Sequence, residues 1–210
     1  MKVVCLFSIC LLFSISTFSQ VSKTEVKLLW SDEFEQDGLP NLSKWSLEVG
    51  DHGWGNNELQ LYTSGQLKNA RVQGGVLLVE AHADASQPKG YTSAKLVSKG
   101  KGAWQYGYVE VRAKLPQGRG TWPAIWMLPE VNNFGGWPKS GEIDIMEHVG
   151  YDPGTVHGTV HTESFNHLLG TQKGGKLIVP AFASEFHTYA VDWKKDQMDF
   201  YIDGKHYFSF

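Results

Sequence analysis

The chain has 210 residues with 19 Lys+Arg against 22 Asp+Glu, a net charge of −3, which argues against nucleic acid or an anionic lipid surface as partner and favours a neutral ligand. Its 8 Trp, 8 Tyr and 23 Gly, without long helical periodicities, point to an all-β domain rich in turns. The two cysteines, Cys5 and Cys10, lie in the first apolar run, so the rest of the chain has no disulfide, thiolate metal site or thiol nucleophile.

Residues 1–19 read as an export leader: Lys2 precedes an apolar run over 3–13, and small residues lead to a cut before Gln20. The run is short for a membrane span and nothing later resembles one. We therefore expect a secreted protein, extracellular or periplasmic, with no membrane span and acting as a monomer. Losing Lys2 leaves 18 basic against 22 acidic side chains, a net charge of −4. Residues 20–210 are expected to form one domain.

Asp37 to Pro40 marks a turn, and 45–49 alternates as a strand. The glycine-bearing stretch 52–62 is expected to be a loop presenting Trp54, Asn56, Asn57 and Glu58, a stacking surface with amide and carboxylate partners. That set suits a sugar, and equally an ordinary polar turn. A hairpin through Gly74-Gly75 joins 69–72 to 75–81, and 93–98 reads as one short strand. Over 106–115 the pattern alternates, with Val109, Val111 and Ala113 on one side and Tyr108, Glu110, Arg112 and Lys114 on the other. Arg112 is expected to pair with Glu110, with direct ligand contact as the lesser alternative.

Glycines 118 and 120 lead to Trp122-Pro123-Ala124-Ile125-Trp126, where period two puts both indoles on one face. Tryptophan is more often core than ligand platform, so at least one of the pair is expected in the core, with Trp122, beside the glycines, as the cleft residue. The two histidines of 155–161, His157 and His161, would share a metal on a helix, but their β-branched neighbours favour a strand, where they lie about 13 Å apart. His161 is read as a cleft hydrogen-bond partner or as a satisfied core histidine. A mobile loop is expected over 165–175, then strands over 186–193 and 198–202, a turn at Asp203-Gly204, and a strand from His206 in which the chain stops. That ending suggests a domain lacking its last strands.

The chemistry centres on Glu142-Ile143-Asp144-Ile145-Met146-Glu147. On a strand, Glu142 and Asp144 share one face and Ile143 and Ile145 the other. Strict alternation would send Glu147 to the apolar side. A one-residue bulge at Ile145-Met146 would return it to the face of Glu142, and bulges are frequent beside active sites. Two carboxyl groups roughly 5 to 5.5 Å apart suit a retaining glycosidase; the plain alternative is a strand with a solvated acidic face.

This stretch resembles the active-site strand of glycoside hydrolase family 16. The likeness extends, in order, to Trp30-Ser31-Asp32-Glu33-Phe34, Trp54-Gly55-Asn56-Asn57-Glu58-Leu59-Gln60, Trp122-Pro123-Ala124-Ile125-Trp126 and Val191-Asp192-Trp193. The resemblance implies a β-jelly-roll sandwich of two antiparallel sheets whose concave face holds a β-glucan polysaccharide. It implies Glu142 as nucleophile, Glu147 as acid/base and Asp144 as supporting residue, with no cofactor required for catalysis. The extra Met146 resembles the bulged motif of laminarinases, which implies hydrolysis of β-1,3-glucan. Alternatives are a relative acting on mixed-linkage β-glucan, galactan or agar, or a non-catalytic β-glucan-binding module. A structural calcium is also implied, held by Glu33 and the backbone carbonyl of Gly75.

Overall fold

A computed structural model describes residues 27–210; the expected leader and both cysteines lie outside the described residues. The chain divides into two units, Met1–Asp32 and Glu33–Phe210. In the first, the described residues 27–32 carry no strand.

The second unit is all β. Its strands are β1 (Ser46–Glu48), β2 (Gln60–Tyr62), β3 (Ala70–Gln73), β4 (Val76–Val79), β5 (His82–Ala83), β6 (Tyr91–Ser93), β7 (Lys95–Val97), β8 (Gly107–Ala113), β9 (Ala124–Met127), β10 (Glu142–His148), β11 (Thr155–His161), β12 (Lys173–Ile178), β13 (His187–Trp193), β14 (Met198–Ile202) and β15 (Lys205–Ser209). Two four-stranded antiparallel sheets form the body of a jelly-roll sandwich, a front sheet in the order β12-β11-β10-β9 and a back sheet in the order β15-β14-β13-β8. Period-two alternation turns Ile143, Val156 and Val160 of the front sheet toward Tyr189, Val191, Phe200 and Ile202 of the back, and these residues form one core. Burying each such side chain contributes about 1.5–3 kcal/mol.

Three expectations are corrected. The single strand over 93–98 is broken at Ala94, so that β6 pairs with β2 and β7 with β1. The β2–β6 pairing is parallel, an exception in an otherwise antiparallel fold. The loop over 165–175 ends earlier, because Gly174 and Gly175 belong to β12. Those glycines read as loop residues, yet they are there for close packing: a Cβ on Gly175 would stand 2.6 Å from the Cβ of Phe208, and one on Gly174 2.7 Å from the carbonyl of Gly158.

Candidate active site

The acidic strand β10 carries the bulge that its sequence calls for. Against β11, Asp144 pairs with Thr159 and Glu147 with His157, so Ile145 and Met146 on one side oppose Gly158 alone on the other. The same step recurs against β9, where Asp144 faces Trp126 and Met146 faces Ile125. Ile145 and Met146, each 1% exposed, both enter the core. Two consecutive apolar side chains thus turn inward, and Glu147 returns to the side of Glu142 and Asp144.

Each glutamate accepts a hydrogen bond from an indole. Trp122 Nε1 donates to Glu147 Oε1 at 3.0 Å, and Trp137 Nε1 donates to Glu142 Oε2. Asp144 is buried between them, with its Oδ2 3.4 Å from Nε2 of His161. Burial is the main cause that pushes Glu142 up to about 7, followed by the Asp144 charge, while the Trp137 N–H pulls it down. Burial and then the Glu147 charge push Asp144 up to about 7 as well. Glu147 is raised by burial against the lowering effect of the Trp122 N–H. Three carboxyl groups this close and this dry cannot all ionise together. A proton held on the cluster at neutral pH, beside a carboxylate, is the combination that acid-assisted displacement uses.

Other candidates fall into three groups. Neither tryptophan of 122–126 is in the core: Trp122 is 53% and Trp126 38% exposed, which corrects that expectation. Pro123 sits before the strand begins, Ile125 and Met127 take the core side, and both indoles remain on the acidic face. Trp54 joins them through Lys95, whose Nζ lies 4.2 Å from the Trp54 ring and 5.0 Å from that of Trp126 while pairing with Glu48 at 2.7 Å. Trp54 holds a left-handed backbone (φ 48°), a cost of about 1 kcal/mol or more for a bulky residue, offset by packing on His52 and Tyr62 at 4.2 and 5.3 Å.

In the same loop Asn56 and Asn57 are exposed, and no contact with the acids is found for them. Glu58 accepts hydrogen bonds from Gln60 and Tyr62, so its carboxylate braces the loop.

Arg112 is the clear correction. It alternates with Val109 and Ala113, which pack on the core, so it lies on the outer face of the back sheet, across the sandwich from the acids. Its guanidinium stacks on Phe186 at 4.3 Å, while Glu110 accepts from the Tyr108 hydroxyl at 3.0 Å. The expected Arg112–Glu110 pair is not found among the described residues, and a ligand in the cleft is out of its reach.

Residues that sequence reasoning missed are Trp137, Lys95 and His167, whose ring lies 4.8 Å from Trp137 and 5.4 Å from His161. Trp137 had a signal: its Trp-Pro pair next to glycine repeats the pattern at Trp122-Pro123. His167 had none, because only the fold brings its loop to the acids.

Glu33 is exposed, and the turn at Gly75 is closed by Asp37, whose Oδ1 accepts from Gly74 N–H at 2.9 Å. Calcium takes about six to eight oxygens. Among the described residues no cluster of three or more Asp, Glu, His or Cys could hold a metal. Glu33 and the Gly75 carbonyl would supply two of those oxygens.

The profile of Glycosyl hydrolases family 16 matches residues 53–210. The chain is 54% identical over 186 residues to a β-glucanase of Rhodothermus marinus, covering 88% of this chain and 65% of that protein. It is 40% identical over 184 residues to a glucan endo-1,3-β-glucosidase of Cryptopygus antarcticus, covering 85% of this chain and 67% of that protein. The fold superposes on the X-ray structure of the laminarinase from Rhodothermus marinus with a TM-score of 0.86 at 54% identity, over 88% of this chain and 74% of that one. The chain thus spans about two thirds of the length of these two curated relatives.

Proposed function

The chain belongs to glycoside hydrolase family 16, and from that premise we propose that it is a secreted, endo-acting hydrolase of β-1,3-linked glucan of the laminarin type, working by double displacement with retention. The reading rests most on the bulge in β10, which turns Glu142, Asp144 and Glu147 to one face, with an indole N–H on each glutamate. The relatives named β-glucanase and glucan endo-1,3-β-glucosidase support the substrate class.

In the first step an ionised Glu142 oxygen forms a bond to the anomeric carbon while the glycosidic C–O bond breaks, and Glu147 gives its proton to the departing oxygen. In the second, Glu147 takes a proton from water, which attacks the same carbon and releases Glu142. Asp144 can take up a proton in place of Glu142: burial and the neighbouring Glu147 charge raise its own affinity for one, and once neutral it no longer opposes ionisation of Glu142 as its charge does. His161 holds Asp144 in place. Trp122, Trp126 and Trp54 supply apolar rings against which sugar faces stack.

The test is laminarin hydrolysis by the wild type, Glu142→Gln and Glu147→Gln. The proposal expects each substitution to lower kcat at least about a thousandfold while the polysaccharide still binds. Wild-type levels of product from either variant would remove that residue from its role.

A further inference from the structure

One side chain outside the acidic strand packs on two of the three residues that hold its carboxylates. His167 lies in the connection between β11 and β12, with its imidazole 4.8 Å from the Trp137 ring at an interplanar angle of 33° and 5.4 Å from the His161 ring, edge on. Trp137 donates to Glu142, and His161 meets Asp144. Two chains of contact therefore start at His167 and end on neighbouring acids.

The segment bearing His167 is built to hold it still. Asn166, 2% exposed, donates through Nδ2 to the carbonyls of Thr162 and Glu163 at 3.1 Å each, and its Oδ1 accepts from Leu169 N–H at 3.2 Å. Thr171 closes the loop from the other side, its hydroxyl accepting from Asn166 N–H at 3.2 Å and its N–H donating to the Asn166 carbonyl at 3.0 Å. A second tie joins this loop to the one carrying Trp137: Lys139 and Glu163 pair at 3.3 Å. The pair is largely exposed and contributes little energy by itself, but it spans the same two loops as the ring stack. Trp137 is 38% exposed, so without a neighbour its indole could pivot and withdraw its N–H from Glu142.

We propose that His167 is a positioning residue of the site, its ring clamping Trp137 and His161 so that Glu142 and Asp144 keep the orientation the displacement needs. The inference rests on the glucanase reading for its kinetic consequence, though not for its geometry. What His167 supplies is ring contact. A phenylalanine should replace it, whereas alanine or glutamine should not.

The experiment compares wild type, His167→Ala, His167→Gln and His167→Phe in two readouts. On laminarin, the alanine and glutamine variants are expected to lose roughly tenfold to a hundredfold in kcat with KM within about twofold, and His167→Phe to recover most of the loss. Independently of activity, carboxylate titration followed by carbon-13 NMR should show Glu142 titrating at higher pH in His167→Ala and His167→Gln. Loosening Trp137 removes a donor that favours the ionised form, and His167→Phe should restore the wild-type midpoint. Should the alanine variant fold poorly, the glutamine variant carries the same comparison. Wild-type titration in the alanine and glutamine variants would overturn the proposal, as would a phenylalanine variant as impaired as alanine. A wild type inert toward laminarin would instead remove the substrate reading, leaving the titration to decide the role of His167.

Discussion

An indole N–H on each glutamate helps one and hinders the other. In the proposed displacement Glu142 must be ionised to attack, and the Trp137 donor favours that state against the burial that opposes it. In the same proposal Glu147 must carry a proton, and burial favours that state while the Trp122 donor opposes it. Trp122→Phe keeps a ring for the sugar and deletes the donor, so it should raise the pKa of Glu147. Activity that depends on protonated Glu147 is lost as pH rises through that pKa, so the alkaline limb of kcat/KM should move to higher pH while the acid limb stays. Because the acid itself remains, kcat/KM at neutral pH should fall by less than about a hundredfold. A pH–rate profile of the two proteins checks this, and an alkaline limb moving to lower pH would be the wrong sign.

At the scale of elements, the acids are held by the turn that follows them as much as by their own strand. Gly150, just after β10, packs so closely on the loop before β9 that a Cβ there would fall 1.7 Å from the carbonyl oxygen of Gly118, and its N–H donates to Thr121 at 2.9 Å. That loop ends in Trp122. Gly150→Ala must push it away, at a cost of about 1–3 kcal/mol or more, and should draw the indole from Glu147. We expect a lower Tm together with a kcat reduced at least about tenfold; thermal denaturation and laminarin kinetics measure both, and an unchanged Tm would show that the contact is relaxed without cost.

The bulge was legible as a condition, since an extra residue at Ile145-Met146 is what brings Glu147 to the face of Glu142 and Asp144. Gly150 was not, because its need for glycine comes from a backbone oxygen some thirty residues earlier in the chain. The same holds for Gly174 and Gly175, whose neighbours Gly158 and Phe208 are distant in sequence and whose composition reads as loop.

Over the whole molecule, the sandwich was readable because period-two patterning and turn residues carry it, and the core of Ile143, Val160, Val191 and Phe200 follows from the alternation. Which sheet face a polar residue occupies was not. Arg112 sits on a strand whose alternation was read correctly, yet that strand belongs to the back sheet, so its polar side faces away from the acids. Trp126 went the other way: a general preference for burying at least one tryptophan of the pair lost to a local register that puts Trp126 opposite Asp144. In both cases the fold, by choosing which sheet a strand joins, decides between core, cleft and outer surface.

That choice matters for function because a double displacement needs both glutamates on the same side of one sheet, close enough to act on a single anomeric carbon without a water between them. The most direct test is the anomeric form of the first reducing ends released from laminarin, read by proton NMR before mutarotation blurs it. A burst of β-anomer is the expected result, since two inversions at one carbon restore its configuration. An initial α-anomer would mean a single inversion and would contradict a nucleophilic role for Glu142.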